Sequence, residues 1–237
     1  MCIMKNKKLS LVTNLILVSL VAIVFAVSFL PQSIIAIYSG NGIAPIYNGN
    51  KENKNVSVMI NVYENSKVVK EMVDVFNTYN AKATFFVGGC WADDNGETLN
   101  YIKEKGHEIA NHGYFHKDHK KLSYASNIQE ISLCADIVEG LCGVRTNLFA
   151  PPSGSFSENT LTACKDLGYK VIMWSKDTID WRDKSESLIF SRATKKLENG
   201  DLILMHPKEH SLKVLPKILE FYVKSGYNIV TVSQNIG

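Results

Sequence analysis

Apolar and polar residues alternate with two different periods along residues 56–233. Short runs that are almost wholly apolar predict strands, and apolar positions that recur every three to four residues predict helices. The predicted strands cover residues 56–62, 82–88, 107–112, 147–152, 170–174, 201–206 and 228–233; the predicted helices cover 66–80, 96–106, 124–141, 157–168, 185–200 and 215–226. About seven strand–helix repeats with buried strands are typical of an α/β protein with a parallel sheet. Periodicity alone leaves a barrel and an open sheet both possible.

The first thirty residues have a different pattern. Residues 9–30 contain no charge and are long enough to cross a bilayer, and Lys5, Lys7 and Lys8 precede them. An uncleaved signal anchor fits better than a cleaved secretory signal, because the apolar run is long and no convincing small-x-small cleavage site follows it. We therefore expect a cytoplasmic tail at 1–8, a transmembrane helix at 9–30, a linker at 31–55 and an extracytoplasmic domain at 56–237.

Composition narrows the possible partners. The formal charge of +3 comes from 26 basic and 23 acidic residues without a long run of one sign, so the basic footprint of a nucleic-acid binder is missing. The five cysteines show neither a disulfide framework nor metal-pair spacing, and we expect them to pack as small apolar residues.

Polar and ionisable residues gather at the predicted strand ends. Asn61 and Val62, then His112, residues 151–154, residues 175–181 and His206 each follow or close a strand. In parallel α/β folds, ligands bind at the carboxyl ends of the strands, so these segments are expected to form one cleft. His112 and His116 lie four residues apart and can bind one divalent metal, zinc by default, although a hydrolytic site normally has three protein ligands. His107 and His119 are expected at the surface or in support of the site.

Four ordered motifs carry a family resemblance. The segments GHEIANHGYFHKDHKKLS, FAPPSG, WSKDTIDW and LILMH together resemble the NodB-homology polysaccharide deacetylases, carbohydrate esterase family 4, from about Val56 to the C-terminus. The chain is most similar to sporulation-associated members with a membrane anchor. The resemblance implies a distorted (β/α) barrel and metal-dependent hydrolysis of N-acetyl groups in peptidoglycan or chitin-like glycan.

The resemblance also implies roles for individual residues. A divalent metal, Zn²⁺ or another, polarises the acetyl carbonyl, a carboxylate base activates water, and a histidine protonates the leaving amine. By position in the motifs, His112 and His116 match the metal ligands, His206 the acid, Asp180 its orienting carboxylate, Trp181 and Leu204 the acetyl pocket, and the Ser153 N–H an oxyanion donor.

The chain departs from the family pattern at three positions. Where the family has two consecutive aspartates, the base and the third metal ligand, this chain has Asn61 and Val62; Ala150 replaces the arginine that pairs with the base. The losses are mutually consistent, since a partly buried arginine without its carboxylate partner is costly.

These departures predict a weak site. Losing the general base typically removes about two to four orders of magnitude in rate. A metal held by two imidazoles binds weakly unless Glu64 or the Asn61 amide oxygen supplies a third ligand. The sequence leaves three possibilities: a slow or impaired deacetylase, an inactive glycan-binding relative, and a wall-assembly protein that uses the domain as a rigid anchor.

Overall fold

The computed structural model describes residues 14–21 and 44–237. The chain divides into two units, residues 1–41 and 42–237. In the first unit residues 14–21 are helical, and the rest of the expected 9–30 span lies outside the described residues, as does the expected tail at 1–8. Within residues 14–21 and 44–237, none of the helices combines the length and the apolar character needed to cross a bilayer.

The second unit alternates strands and helices as expected. Its strands are β1 Asn55–Val62, β2 Thr84–Val87, β3 Glu108–Asn111, β4 Leu148–Phe149, β5 Lys170–Val171, β6 Lys176–Asp177, β7 Leu202–Met205 and β8 Asn228–Ile229. Its α-helices are α1 Ser66–Thr78, α2 Gly89–Asp94, α3 Gly96–Glu104, α4 Tyr124–Cys142, α5 Glu158–Asp166, α6 Glu186–Thr194, α7 Glu209–Lys224 and α8 Val232–Ile236, with 3-10 turns at His119–Lys121 and Pro152–Gly154.

The sheet is parallel throughout and follows the order β5-β4-β3-β2-β1-β7-β6, with β8 paired to the start of β1. Seven of these parallel strands form a half-barrel and β8 is a short eighth, which confirms the α/β class and the expectation of about seven strands. Because β1 lies at the centre of the sheet, between β2 and β7, its carboxyl end reaches the middle of the ligand-binding edge.

The two faces of β1 serve two apolar layers. Val58, Ile60 and Val62 pack in the layer beneath the helices, whereas Met59 packs in the interior of the half-barrel. Successive strand residues point to opposite faces, so Asn61 shares the interior side with Met59. Burial on both sides explains why the strands are almost wholly apolar.

The start of the domain lies earlier than the sequence indicates. Ile46 N–H donates to the Val171 carbonyl at 2.8 Å, and Gly49 N–H donates to the Gly200 carbonyl at 2.7 Å. These contacts join residues 46–49 to the chain near β5 and β7. The domain thus includes residues placed in the expected linker, because isolated backbone pairing leaves no apolar period in a sequence.

Helices α6 and α7 differ most from their expected bounds. Helix α6 ends at Thr194 rather than at residue 200. Helix α7 begins at Glu209, six residues before the expected start, and continues through Pro216 because its buried residues keep a helical spacing from Ser211 onward. Helix α2 was not predicted.

The expected strand 228–233 is a strand only over Asn228–Ile229. A capping box then starts α8: the Gln234 N–H donates to Thr231 Oγ1, and the Thr231 N–H donates to Gln234 Oε1. Reciprocal capping of this kind satisfies two otherwise unpaired N–H groups, and it outweighs the strand propensity of the segment.

Candidate active site

A cleft of about 270 Å³ opens at the carboxyl ends of the strands. Its lining residues come from segments far apart in the sequence: Asn61, Tyr63, His112, His116, Ser153, Trp174, Asp177, Trp181, Leu204 and His206. Of the residues to which the motif resemblance assigns a role, all line this cleft except Asp180, which lies behind His206. Val62 and Glu64 do not line it. The structure therefore brings the predicted residues together, as the strand-end rule requires.

His112 follows β3 and is held in one orientation. Its backbone N–H donates to the Val87 carbonyl at 3.0 Å, and its ring Nδ1 lies 2.7 Å from the Ala150 carbonyl. A carbonyl only accepts, so Nδ1 carries the proton and the Nε2 lone pair is left for a ligand. Burial, followed by the nearby His116, lowers the pKa of His112 to about 3, which keeps the ring neutral at pH 7.

His116 approaches His112 from the loop after β3. The two ring centroids are 5.1 Å apart, and His116 has a left-handed backbone with φ of 54°. Burial lowers the pKa of His116 as well. The loop is held by the buried Glu130 carboxylate, which accepts from the N–H groups of Tyr114 at 3.1 Å and Phe115 at 2.8 Å. Two neutral imidazoles are thus positioned side by side.

On the other wall of the cleft, Asp180 fixes His206. Asp180 Oδ1 lies 2.7 Å from His206 Nδ1, and Oδ2 accepts from the His206 N–H at 2.7 Å and the Ser211 hydroxyl at 2.5 Å. Burial alone would raise the pKa of Asp180, but the hydrogen bonds from His206 and Ser211 prevail and hold that pKa below its usual range. Asp180 is therefore ionised and presents the His206 ring to the cleft.

Asn61 closes the floor of the cleft at the end of β1. Its side chain is only 2% exposed, and Oδ1 has no hydrogen-bond partner in the described part of the chain. Val62, the next residue, is buried in the layer beneath the helices. Asn61 and Val62 therefore face different environments.

A three-ligand metal site does not fit these residues. Val62 is aliphatic, and the Glu64 carboxylate is ion-paired with Lys208 and so does not supply the missing ligand. Over residues 14–21 and 44–237, no three His, Cys, Asp or Glu side chains come together as metal ligands. His112, His116 and the neutral amide oxygen of Asn61 form an incomplete set for catalytic zinc.

The expected substrate contacts vary in exposure. Trp181 stands at the rim of the cleft, 53% exposed, with the Arg182 guanidinium 5.7 Å from its ring centre. Leu204 is buried in the wall. Ser153 lies on the 3-10 turn with a left-handed φ of 55°, which turns its backbone at the cleft edge.

Two lining residues, Tyr63 and Trp174, were not predicted, whereas Asp177 lies in the segment 175–181 that was expected in the cleft. Tyr63 packs its ring on His116 with centroids 4.2 Å apart. Tyr63 directly follows β1 and Trp174 closes the predicted strand 170–174, so the rule used for the other strand ends could have found both.

His107 and His119 are not at the surface. Both are buried: Nδ1 of His107 accepts from the Ala83 N–H at 3.1 Å, and His119 Nδ1 lies 2.7 Å from Asn127 Oδ1. The expectation of a surface position was wrong for both rings: each is buried with Nδ1 in a hydrogen bond, whereas Nε2 of each ring has no partner among the described residues. His119 remains a candidate support of the His116 loop.

Known proteins resemble this chain over most of its length. Residues 48–172 match a family model described as polysaccharide deacetylase. The uncharacterized protein YlxY of Bacillus subtilis is 33% identical over 190 residues, 80% of this chain and 60% of that protein. A peptidoglycan-N-acetylglucosamine deacetylase of Bacillus cereus is 31% identical over 175 residues, 69% of this chain and 79% of that enzyme. The chain thus spans less than two thirds of the length of YlxY.

A solved structure also shares the fold. The crystal structure of BA3943 from Bacillus anthracis, described as a CE4 family pseudoenzyme, aligns with a TM-score of 0.79 at 28% identity and covers 82% of this chain and 69% of that one. A BA3943 mutant described as having restored enzymatic activity aligns with the same TM-score at 27% identity, covering 82% and 71%.

Proposed function

The chain belongs to the polysaccharide deacetylase family, and on this premise we propose that it is an impaired deacetylase. It holds an amino-sugar chain of the cell envelope in the cleft and releases acetate from it far more slowly than an intact member of the family. Peptidoglycan is the favoured glycan, because the Bacillus cereus relative is named for it.

The amide of Asn61 carries this proposal. An amide does not take up a proton near neutral pH, so the cleft has no base at the floor position. The unpaired Oδ1 of Asn61 is instead a buried hydrogen-bond acceptor, and an unsatisfied acceptor costs about 1–3 kcal/mol. The N–H of a sugar acetamido group is a donor that relieves this cost, so Asn61 favours binding of the acetylated sugar over its hydrolysis.

The opposite wall keeps the groups that would protonate a leaving amine. His206 is oriented by the buried, ionised Asp180, and this pair does not depend on the residues lost at Asn61 and Val62. Trp181 and Leu204 complete an apolar wall that suits the acetyl methyl group. The cleft therefore keeps the residues that would contact the acetylated sugar and the histidine that would act as the acid, but it lacks the base and the third metal ligand.

The BA3943 comparison supports impairment. That protein is described as a pseudoenzyme, and a mutant of it as having restored activity. By analogy, a cleft of this fold can lose its chemistry without losing its architecture, and substitution can restore it.

We further propose an extracytoplasmic location, with residues 9–30 as the membrane anchor. The uncharged apolar run and the preceding lysines support this location. A role in sporulation rests only on the motif resemblance. A divalent metal, if supplied, is expected to bind only weakly to His112 and His116.

Acetate release tests the proposal. The full chain and its Asn61→Asp/Val62→Asp variant are incubated with zinc and N-acetylglucosamine oligomers or peptidoglycan, and metal content and oligomer binding are measured in parallel. The native chain should bind oligomers and release acetate about two to four orders of magnitude more slowly than the double variant. Adding His206→Gln to the double variant should abolish the gain.

Two results would overturn the proposal in different ways. Rapid acetate release by the native chain would show that the site is intact. Failure of both native and double variant to bind zinc or oligomer would show that the cleft is no glycan site, which leaves the rigid-anchor role. A native chain that binds oligomers with no acetate release at all would be the inactive glycan-binding relative.

A further inference from the structure

Helices α6 and α7 lie side by side on the outer surface of the half-barrel. They enclose a groove of about 610 Å³, which we call the outer groove. Its lining includes Glu186 and Phe190 of α6 and Val214, Lys217 and Phe221 of α7. In the described part of the chain, the outer groove and the cleft share no lining residue. The outer groove is therefore a surface that the proposed function leaves unused.

We propose that the outer groove is the interface for a second copy of this chain, with the two copies related by a two-fold axis that runs along the groove. In this dimer the α6 wall of one copy faces the α7 wall of its partner. The interface does not depend on what the cleft binds.

The floor of the outer groove is apolar. Phe190 and Phe221 pack edge to face, with ring centroids 6.0 Å apart, and both rings are only half-buried in the single chain. Val214 is 1% exposed and belongs to the layer beneath the helices. A partner that covers the groove removes the exposed edges of the two rings from water, which favours association.

Opposite charges stand at the same level on the two walls. Helix α6 connects β6 to β7 and α7 connects β7 to β8, all parallel strands, so the two helices run in the same direction. Phe190 lies beside Phe221. One helical turn earlier, Glu186 on α6 is therefore level with Lys217 on α7.

Both of these charges are free to meet a partner. Glu186 and Lys217 are exposed, and within the described part of the chain neither side chain forms an ion pair or a hydrogen bond. Glu220 and Lys224, which also line the groove, pair with each other at 2.5 Å. The α6 wall thus presents one unpaired acid, and the α7 wall presents one unpaired base.

Charge complementarity selects the symmetry of the dimer. A two-fold axis along the groove sets Glu186 of one copy opposite the partner's Lys217, and symmetry repeats the pair. An axis across the groove would set α6 against α6 and leave both charges unpaired. The interface is therefore isologous, with two charge pairs beside a shared apolar floor.

The size of the outer groove predicts a weak dimer. Helix α7 has 16 residues and is about 24 Å long, and two packed helices present a face about 20 Å wide. Such a face buries about 500 Å² on each copy, below the value of about 800 Å² per partner that is usual for stable complexes. We therefore expect a Kd in the micromolar range or above.

The direction of the axis also determines how the two clefts are presented. Helices α6 and α7 run roughly antiparallel to the strands, so an axis along the groove follows the strand direction. The carboxyl edges of both sheets then point to the same end of the dimer. The two clefts can engage one glycan layer together, a consequence that rests on the proposed function, whereas the interface itself does not.

Charge reversal tests the interface. Sedimentation equilibrium of the full chain in density-matched detergent measures the Kd of the native protein, Glu186→Lys, Lys217→Glu and the double variant. Both side chains are exposed, so the variants should keep the fold. Each single reversal sets like charges opposite each other twice and should weaken the dimer about tenfold or more. The double variant restores both pairs with exchanged signs, and its Kd should return to within about threefold of the native value.

Lys170→Glu is the matched control, because it makes the same charge change at an exposed lysine on β5, at the opposite edge of the sheet from β6. It should leave the Kd unchanged. A native chain that stays monomeric at millimolar concentration, or a dimer that neither single reversal weakens, would overturn the interface. A double variant as weak as the single ones would overturn it too, because the two charges would then not face each other. Acetate release and oligomer binding are measured separately, so failure of the interface is distinguishable from failure of the proposed function.

Discussion

Asp180 holds His206 by its ring and by its backbone, through separate oxygens of one buried carboxylate. Oδ1 lies 2.7 Å from the ring Nδ1, and Oδ2 lies 2.7 Å from the backbone nitrogen. The ring therefore cannot turn without breaking contact with a charge that has no access to water. The contacts that hold His206 do not involve Asn61, so they do not depend on which side chain stands at position 61.

Replacing Asp180 should reveal how much stability this contact contributes. Asp180→Asn removes a buried carboxylate charge that is hydrogen-bonded to His206 and Ser211, and we expect the unfolding free energy at pH 7 to fall by about 3 kcal/mol. Because the folded pKa of Asp180 is below its usual range, its contribution is present above the unfolded pKa of about 4 and is lost as pH falls through the folded value. The variant should therefore lose less stability than the native chain between pH 4 and pH 2.

Urea unfolding across that pH range measures both effects. Asp136→Asn, at an exposed carboxylate on α4, is the control and should change stability by less than about 0.5 kcal/mol. If Asp180→Asn loses as much stability as the native chain between pH 4 and pH 2, Asp180 is not the ionised partner of His206.

Glu130 should control the loop that carries His116. Its side chain is buried and accepts from the Tyr114 and Phe115 N–H groups while pairing with Lys117. Glu130→Gln keeps one amide oxygen but loses the charge, and hydrogen bonds to a charged group are worth about 1.5–3 kcal/mol. Amide hydrogen exchange at Tyr114 and Phe115 should accelerate by about tenfold or more.

Glu139→Gln lies on the same helix and is the matched control. Glu139 pairs with Arg145 at the surface, so its loss should cost less than about 1 kcal/mol and leave exchange at Tyr114 unchanged. Similar exchange in both variants would show that Glu130 does not hold the loop.

His107 should make the fold acid-sensitive from within the core. Burial, followed by the charge of Lys82, lowers its pKa to about 4, whereas an unfolded histidine titrates near 6.5. Between pH 6.5 and about pH 4, His107 is protonated in the unfolded chain but neutral in the folded chain. The free energy of unfolding therefore decreases as the pH is lowered through this range. The shift corresponds to about 3 kcal/mol.

His107→Asn tests this term, because an amide oxygen can still accept from the Ala83 N–H without titrating. The variant should start less stable at pH 7 and show a shallower fall between pH 6.5 and pH 4 in denaturant titrations. An equally steep fall would assign the acid sensitivity to other groups.

The sequence predicted the helices whose apolar residues recur with a helical period and the strands that are buried on both faces. In α1 the helical spacing of Val68, Val69, Met72, Val73 and Phe76 corresponds to its buried face. The prediction failed where backbone or capping hydrogen bonds determine the bounds of an element. The pairing of Ile46 with the chain beside β5 leaves no periodic trace, and the capping box at Thr231 ended a strand whose residues favour continuation.

The site was predictable as a set of strand ends, but its internal arrangement was not. The order of motifs brought His112, His116 and His206 into one cleft, since parallel strands share a carboxyl edge. No pattern in the sequence indicates that Glu64 forms an ion pair with Lys208, or that Tyr63 packs on His116. Such contacts depend on loops whose meeting is set by tertiary structure rather than by local spacing.

Asn61 and Val62 should respond very differently to a carboxylate. Asn61 lines the cleft, whereas Val62 is fully buried in the apolar layer beneath the helices. Without metal, Val62→Asp should lower unfolding free energy by about 3–5 kcal/mol, the usual cost of an uncompensated buried charge, and Asn61→Asp by about 1 kcal/mol. Val62→Asn introduces a side chain with the shape of aspartate but without its charge. Comparing it with Val62→Asp separates the cost of burying a charge from the cost of burying a polar group.

Zinc should then distinguish the variants, because any ligand that binds only the folded state raises its stability. In the double variant two imidazoles and a carboxylate can form a three-ligand set if the end of β1 turns position 62 toward the cleft, so zinc should raise its melting temperature by several degrees. The native chain, with Val62, should show a far smaller shift. If Val62→Asp is as stable as Val62→Asn without metal, the end of β1 already turns position 62 toward water. If zinc raises the melting temperature of the native chain as much as that of the double variant, His112 and His116 bind zinc without a carboxylate.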